Sequence, residues 1–198
     1  MFNEDNAELQ GLARKLACCT KCELSQSRER TILGYGQSSA DIMIVGAAVP
    51  YYLASKGRPF IGATGDTVCK LLSDFNVDGG RVYLTNIVKC PLPRQDATSQ
   101  DPSQDQIQAC AYWLDEEIRL VKPRLIITLG APALRRFFPG QTVGSFQKQA
   151  PREKEGVLYF ALHHPRNFHP GGCGPYARWE IEPLKKLQEL CRGFEPSS

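Results

Sequence analysis

Four cysteines have the spacing of a metal-binding set. Cys19 and Cys22 form a Cys-x2-Cys hook, C-T-K-C, near the start of the chain, whereas Cys90 and Cys110 lie far downstream. A hook and two later thiols can surround one metal centre, either a zinc ion or an iron–sulfur cluster. Such a centre would tie the N-terminal segment to the body of a small α/β domain.

Residues that could bind a ligand follow the predicted strands. Parallel α/β sheets bind ligands outside the carboxyl ends of their strands. Gly46-Ala47-Ala48 follows the first buried strand, Asn86 lies near the end of the second, and His163-His164 follows the last. Phe60 lies in a glycine-flanked loop, G-R-P-F-I-G, between the first strand and its helix. We therefore expect these residues to share one site.

The side chains of this site suit a flat heterocycle. The Phe60 ring can stack on a base, and the flanking glycines let backbone approach closely. The Asn86 carboxamide has a donor and an acceptor in one plane, which matches the Watson–Crick edge of a pyrimidine. A histidine can stabilise the anion formed when a glycosidic bond breaks. Each residue alone is commonly structural, so the prediction depends on their lying together. The chain has no Walker-type motif and no G-x-G-x-x-G at a helix start, which argues against a nucleotide-phosphate cradle.

Alternating strands and helices must position these residues. Apolar runs predict buried strands at about 41–45, 82–88, 125–129 and 157–162. Helices are predicted at about 7–16, 65–75, 103–121, 131–138 and 175–191, with Asp66 or Thr67 capping the second and Pro183 interrupting the last. Ser103 and Gln106 have capping-box spacing. This order predicts an α/β fold, a three-layer α/β/α sandwich with a central four-stranded, mainly parallel sheet.

Length and composition are those of an ordinary globular protein. Of 198 residues, 42% are hydrophobic and 23% are charged, so we expect one domain over 1–198, with a frayed tail at 194–198. The chain has no long apolar stretch and no signal peptide, so we expect a cytoplasmic protein with no membrane contact. In that compartment the eight cysteines are expected to be thiols or metal ligands rather than disulfides.

Basic residues cluster around the cysteine hook, although the net charge of the chain is only +3. Such a cluster can bind phosphates, and it can equally be a solvated surface, so charge alone leaves both interpretations open. Its members are Arg14, Lys15, Lys21, Arg28 and Arg30.

Several motifs together resemble those of the iron–sulfur (family 4) uracil-DNA glycosylases. The similarity extends from about residue 12 to residue 190, and T-N-I-V-K-C in register with the cysteine hook is its most specific part. The matching stretches are C-T-K-C-E-L, the G-R-P-F-x-G loop, T-N-I-V-K-C, the helix that carries Cys110, K-P-R-L-I-I-T-L-G, and His164-Pro165.

The resemblance implies a DNA-repair enzyme that flips uracil, or a related deaminated base, out of DNA and hydrolyses its N-glycosidic bond. It implies a [4Fe–4S] cluster on the four cysteines, with zinc as the alternative metal. It also implies that Phe60, Asn86 and Gly46 form the substrate site and that His164 is catalytic. The expected partner is DNA containing uracil or another deaminated base, bound by a monomer.

The first motif departs from the family pattern. The family usually has G-E-x-P-G, whereas this chain has G-A-A-V-P from Gly46. Ala47 and Ala48 thus stand at the catalytic position where the superfamily places a carboxylate or amide that orients the attacking water. Water activation must therefore be weak or come from elsewhere, for example from His164, from backbone groups or from Asp66.

The loop after the last strand is where the superfamily places a minor-groove wedge. By this resemblance, Arg166 would contact phosphate and Phe168 would fill the space left by a flipped base. The alternative is an ordinary loop in which Phe168 packs into the core.

Two other functions are compatible with the sequence. A non-catalytic iron–sulfur protein that binds DNA or senses damage would account for Ala47 in place of an acidic residue. A glycosylase for hypoxanthine or xanthine would account for the altered first motif, because that motif lines the pocket.

Overall fold

One six-stranded sheet organises the part of the chain that the computed structural model describes, residues 6–93, 101–149, 151–165 and 181–193. Its strands are β1 (Tyr35–Gly36), β2 (Ile42–Gly46), β3 (Val82–Asn86), β4 (Leu125–Leu129), β5 (Arg152–Lys154) and β6 (Val157–Leu162). Their order across the sheet is β1-β3-β2-β4-β6-β5. The four inner strands are parallel, and the two edge strands pair antiparallel to their neighbours.

The predicted α/β fold with a mainly parallel sheet is confirmed, but the predicted number of four strands is wrong. All four predicted strands form the parallel centre of the sheet. The two additional strands, β1 and β5, have only two and three residues and lie at the edges. Because β1 is so short and β5 is partly exposed throughout, neither produces the continuous apolar run of a buried parallel strand.

Helices cover both faces of the sheet. They are α1 (Ala7–Ala17), α2 (Ala63–Asp74), α3 (Gln104–Val121), α4 (Ala131–Phe137), α5 (Val143–Gln147) and α6 (Ile181–Arg192), with short 3-10 helices at Glu23–Gln26, Tyr51–Lys56 and Gly79–Arg81. Side chains alternate along the strands, so that Ile42 and Ile44 pack with α2 and α6. Met43 and Val45 pack on the opposite face with α1, α3, α4 and α5. None of the described helices is long and apolar enough to cross a membrane.

A side-chain cap was predicted at the start of two helices and is present in one of them. Ser103 and Gln106 form the predicted capping box of α3, in which each side chain accepts the other's backbone N–H. The predicted cap of α2 is wrong, because α2 begins at Ala63 after Gly62. The Thr67 hydroxyl donates instead to the Ala63 carbonyl at 2.9 Å, one turn earlier. The closing helix is described from Ile181 to Arg192 and continues through Pro183, so the predicted interruption there is wrong. The predicted residues 175–180 and the tail 194–198 lie outside the described residues.

Strand register brings four loops to one edge of the sheet. Gly46 at the end of β2 lies opposite Asn86 at the end of β3, and Leu129 of β4 lies opposite Leu162 of β6. The segments that follow these residues therefore emerge side by side at the carboxyl edge, the usual position of ligands in such sheets.

Candidate functional site

A cavity of ≈ 390 Å³ lies at the carboxyl edge of the sheet. Phe60, Asn86 and His164 all line it, so the structure brings the three predicted side chains to one place. The two alanines of the first motif line it as well. The rest of the lining includes Tyr51, Tyr52, Leu53, Thr64, Leu92 and Pro165.

Gly46 lies directly beneath the predicted base-binding side chains. A Cβ at this position would lie 2.5 Å from Asn86 Oδ1 and 3.0 Å from Phe60 Cζ. Both distances are shorter than van der Waals contact, so only glycine fits here. The carboxamide and the edge of the aromatic ring therefore meet over the same backbone atom. Asn86 itself is only 6% exposed, so its amide is positioned by its surroundings.

The loop that carries Phe60 has a strained backbone. Phe60 has a φ of 53°, a left-handed conformation that a bulky residue rarely adopts. Its carbonyl oxygen would lie 1.9 Å from a Cβ at Gly65, so α2 approaches the loop as closely as backbone allows. Strain of this kind is concentrated at ligand sites, where the surrounding structure holds it in place. The ring is half-buried and packs against the α2–α6 core.

His164 approaches the cavity from the last parallel strand. It lies two residues beyond β6 and packs over Gly130, the residue that follows β4. Gly130 has a φ of 86°, and a Cβ there would come within 3.1 Å of His164 Cβ. The imidazole therefore reaches the cavity because a neighbouring loop has no side chain in its way. His163 does not line the cavity.

No carboxylate is present among the described residues that line this cavity. Ala47 is nearly buried, and its carbonyl accepts the Val88 N–H at 3.0 Å. Asp66, one of the candidates for activating water, lies exposed in the first turn of α2 and is not part of the lining. The cavity thus presents an aromatic ring, a carboxamide and an imidazole, but its described walls offer no acidic general base.

A buried ion pair lies behind the cavity. The side chains of Lys89 and Glu117 are both fully buried and in direct contact. Glu117 also accepts hydrogen bonds from the Gly34 N–H at 2.6 Å, from the Tyr83 hydroxyl at 3.1 Å and from the Thr85 hydroxyl at 2.8 Å. A buried carboxylate is tolerated when it is paired and its oxygens are hydrogen-bonded, as they are here.

Lys89 connects the cavity to the cysteines. Its ammonium donates to the Asn86 carbonyl at 2.7 Å and to the Thr85 hydroxyl at 2.7 Å. Its backbone N–H donates to Cys110 Sγ at 3.2 Å. One residue thus donates hydrogen bonds to the backbone of the asparagine predicted to read the base and to a predicted metal ligand.

The four predicted ligand cysteines lie near one another. Cys90 and Cys110 are buried, and Cys19 and Cys22 pack against the same core. Burial raises the pKa of the Cys90 thiol to about 11; the Arg28 charge opposes this rise, whereas Cys110 and Cys22 add to it. Burial likewise raises the pKa of Cys110; the hydrogen bond and the charge of Lys89 oppose this rise, whereas Cys22 and Cys19 add to it. Since charge on each buried thiol disfavours charge on the others, bound metal would be needed to hold all of them as thiolates.

The four thiols could ligate either a zinc ion or an iron–sulfur cluster, and the two centres require different sulfur spacing. A tetrahedral zinc ion with Zn–S bonds of 2.3 Å would draw four sulfurs to about 3.8 Å of one another. No group of three or more His, Cys, Asp or Glu side chains among the described residues is arranged to hold one metal ion. An iron–sulfur cube binds each cysteine through a different iron and so accepts wider sulfur spacing.

Polar contacts attach the cysteine hook to the rest of the chain. Arg28 donates to the Cys19 carbonyl at 2.6 Å and points a second nitrogen at Cys90 Sγ, 3.7 Å away. The Glu23 carboxylate accepts from Gln106 at the start of α3, and this hydrogen bond lowers the pKa of Glu23. Arg28, one of the residues of the predicted basic cluster, therefore links the cysteine hook to Cys90.

The predicted DNA wedge, Arg166 and Phe168, lies outside the described residues. Two features of the site were not predicted. The Lys89–Glu117 pair had one signal in the sequence. Glu117 lies three positions after Leu114, which places this acidic residue on the buried stripe of α3. The exposed Tyr51 and Tyr52 at the cavity had no signal in the sequence, because the sequence of one loop does not show whether its side chains are buried.

Comparison with known proteins gives one consistent result. The family model of the Uracil DNA glycosylase superfamily matches residues 33–172. A type-4 uracil-DNA glycosylase of Sulfurisphaera tokodaii is 32% identical over 193 residues, which cover 92% of this chain and 84% of that protein. One from Archaeoglobus fulgidus is 27% identical over 198 residues, covering 96% of each chain. One from Pyrobaculum aerophilum is 37% identical over 123 residues, covering 62% of this chain and 61% of that protein.

Proposed function

The chain belongs to the type-4 branch of the uracil-DNA glycosylase superfamily, and on this basis we propose that it removes uracil from DNA by hydrolysing the N-glycosidic bond. The observation that carries the proposal is the cavity in which Phe60, Asn86 and His164 meet. As a glycosylase, the chain is a hydrolase, and DNA is its partner. A base inside a duplex cannot reach such a cavity, so the nucleotide must first be extruded from the helix.

Three residues would hold the extruded base. Its face would stack on the half-buried ring of Phe60. The Asn86 carboxamide would donate to a carbonyl oxygen of the base and accept from the adjacent ring N–H, which together distinguish uracil from cytosine. Gly46 would let the base approach the sheet, because any side chain there would displace both the ring and the amide.

His164 would assist the departure of the base. When the bond between the sugar carbon and the base nitrogen breaks, its electron pair leaves with the base as an anion. A hydrogen bond from the imidazole to the nearest base oxygen would stabilise that anion. Water then adds to the oxocarbenium-like carbon and loses a proton to solvent, and the uracil anion takes up a proton from solvent, which leaves free uracil and an abasic site. Since Ala47 and Ala48 cannot orient this water, we expect a slow chemical step.

Cys19, Cys22, Cys90 and Cys110 would hold a [4Fe–4S] cluster. Once bound, the cluster would supply a structural link between the hook, the segment after β3 and α3. The support for this assignment is the mutual influence of the four thiols and the polar groups aimed at two of them. Iron and sulfide analysis of purified protein distinguishes the cluster from the zinc alternative. The colour of the protein gives the same answer, since only the iron–sulfur form is yellow-brown.

Excision from a uracil-containing oligonucleotide tests the proposed function. Asn86→Asp keeps the shape of the side chain but removes its donor, and His164→Ala removes the imidazole. Each should slow single-turnover excision by about 100-fold or more. His163→Ala is the matched control, because His163 is adjacent in sequence but does not line the cavity. Wild-type rates in the Asn86 and His164 variants would refute the assignment.

A second candidate follows from the absence of a carboxylate among the described residues of the cavity lining. A protein that recognises uracil in DNA without cleaving it would need the binding residues but no general base. Tight binding to uracil-containing DNA with no abasic product, even after long incubation, would favour this damage-sensing function. Release of hypoxanthine or xanthine in preference to uracil would instead favour a glycosylase for those bases.

A further inference from the structure

Two tyrosines lie exposed beside the cavity. Tyr51 is 47% exposed and Tyr52 is 70% exposed, and both contribute to the cavity lining. In the described part of the chain the only other large hydrophobic side chain with such exposure is Tyr112, on α3. Rings of this size are normally placed against a protein or ligand surface, so a pair at the entrance to a ligand site suggests a binding partner.

The backbone that carries the tyrosines is held in place. The Tyr51 N–H donates to the Leu92 carbonyl at 2.9 Å, and the Leu92 N–H donates to the Val49 carbonyl at 2.9 Å. Leu92 lies two residues beyond Cys90, so the tyrosines are attached to the segment that carries a proposed cluster ligand. A tyrosine on fixed backbone loses little conformational entropy on binding, because it has only two side-chain torsions.

The segment around the tyrosines is positively charged. Between Gly46 and Gly65 the only charged residues are Lys56 and Arg58. Both side chains are exposed, and the Arg58 guanidinium lies 5.5 Å from the centre of the Tyr35 ring. Arg30 approaches Gly57 at the end of the same 3-10 helix, where it also pairs with Glu29. Exposed rings next to cations are the combination that binds single-stranded nucleic acid, with bases on the rings and phosphates on the cations.

We propose that Tyr51 and Tyr52 form a stacking platform for unpaired bases next to the extruded nucleotide, with Lys56 and Arg58 binding the adjoining phosphates. This proposal takes the identity of the nucleic acid, DNA, from the proposed function. Bases within a duplex already stack on one another and offer no free face to a ring. The platform therefore favours single-stranded DNA over duplex DNA.

Equilibrium binding to a labelled oligonucleotide without uracil tests the platform separately from excision. The proteins compared are wild type, Tyr51→Ala/Tyr52→Ala, Tyr51→Phe/Tyr52→Phe and Tyr112→Ala. Stacking contributes about 1–3 kcal/mol per base, so loss of each used ring should weaken single-strand binding by roughly 5- to 150-fold. The double phenylalanine variant should bind like wild type, because it keeps both rings. Tyr112→Ala is the control for loss of an equally exposed ring elsewhere.

The outcomes distinguish this proposal from the proposed function. A double alanine variant that binds single strands as tightly as Tyr112→Ala would overturn the platform, and so would a wild-type protein with no preference for single strands over the matching duplex. Ring-dependent binding in a protein that releases no base would support the platform and refute the glycosylase. Excision that is unaffected by the double alanine substitution, on single strands and duplexes alike, would refute only the platform.

Discussion

Replacement of Glu117 by glutamine should destabilise the protein strongly. Glutamine keeps the shape of the side chain but removes the charge that balances the Lys89 ammonium, and both groups are fully buried. Lys89 would then have only uncharged acceptors, among them the Thr85 hydroxyl and the Asn86 carbonyl, each at 2.7 Å. In addition, the new amide NH₂ would face donors, because all four groups around Glu117 donate to it.

The expected cost follows from burial of the charge. Removing one partner of a buried ion pair typically costs about 3–5 kcal/mol, because the other charge stays buried and unpaired. That loss is a large part of the roughly 5–15 kcal/mol that stabilises an ordinary domain. For a chain of this length it corresponds to a decrease in melting temperature of about 6–20 °C.

Urea unfolding of four proteins measures this effect. They are wild type, Glu117→Gln, Lys89→Met and the double variant. Because the second substitution removes the charge left unpaired by the first, the double variant should lose at least 2 kcal/mol less than the sum of the single losses. A loss below about 1 kcal/mol for Glu117→Gln, or strict additivity, would refute the role given to this pair.

Three further predictions concern the cavity and the core. Gly46→Ala should abolish uracil excision with a modest loss of stability, since the new Cβ would meet Asn86 and Phe60. Gly144→Ala should behave like wild type, because a Cβ there would have nothing within 4 Å. Equal excision activity of the two variants would contradict the close packing at Gly46. Ala47→Glu should increase the single-turnover rate of uracil excision by about tenfold or more, because glutamate supplies a general base. Ala47→Leu, which supplies none, should not increase it. No gain with glutamate would show that water activation does not limit the rate. Burial raises the pKa of Cys191 to about 11, whereas the thiol of the unfolded chain ionises near 8.5. The buried thiol therefore contributes its full share to the free energy of unfolding below about pH 8.5. This contribution disappears as the pH rises towards 11, because the unfolded state then loses the thiol proton more readily than the folded state. The difference in urea midpoint between wild type and Cys191→Ala should therefore change over this range, and parallel curves would contradict the linkage.

The central architecture could be predicted because buried parallel strands have a strong sequence signature. Each of the four inner strands is an apolar run that ends at a polar residue or a glycine. Once the strands are known to be parallel, their ends must converge, which places Asn86 and His164 at the same edge. The edge strands β1 and β5 lack this signature, because β1 has only two residues and two of the three residues of β5 are exposed.

The chemistry behind the cavity was harder to predict. Glu117 is one of several acidic residues near the end of α3, and its burial depends on the position of β3. Asp66 showed the opposite problem, because it follows a glycine-containing loop near the predicted site yet is exposed and is not part of the cavity lining. The start of α2 at Ala63, and not near Asp66, accounts for this difference.

A crystal structure with DNA containing a 2′-fluorinated deoxyuridine, which resists cleavage, tests the central claim most directly. We predict that the extruded uracil stacks on Phe60, with the Asn86 carboxamide on its Watson–Crick edge and His164 next to a base oxygen. A uracil bound outside this cavity, or one whose edge faces groups other than Asn86, would contradict the account.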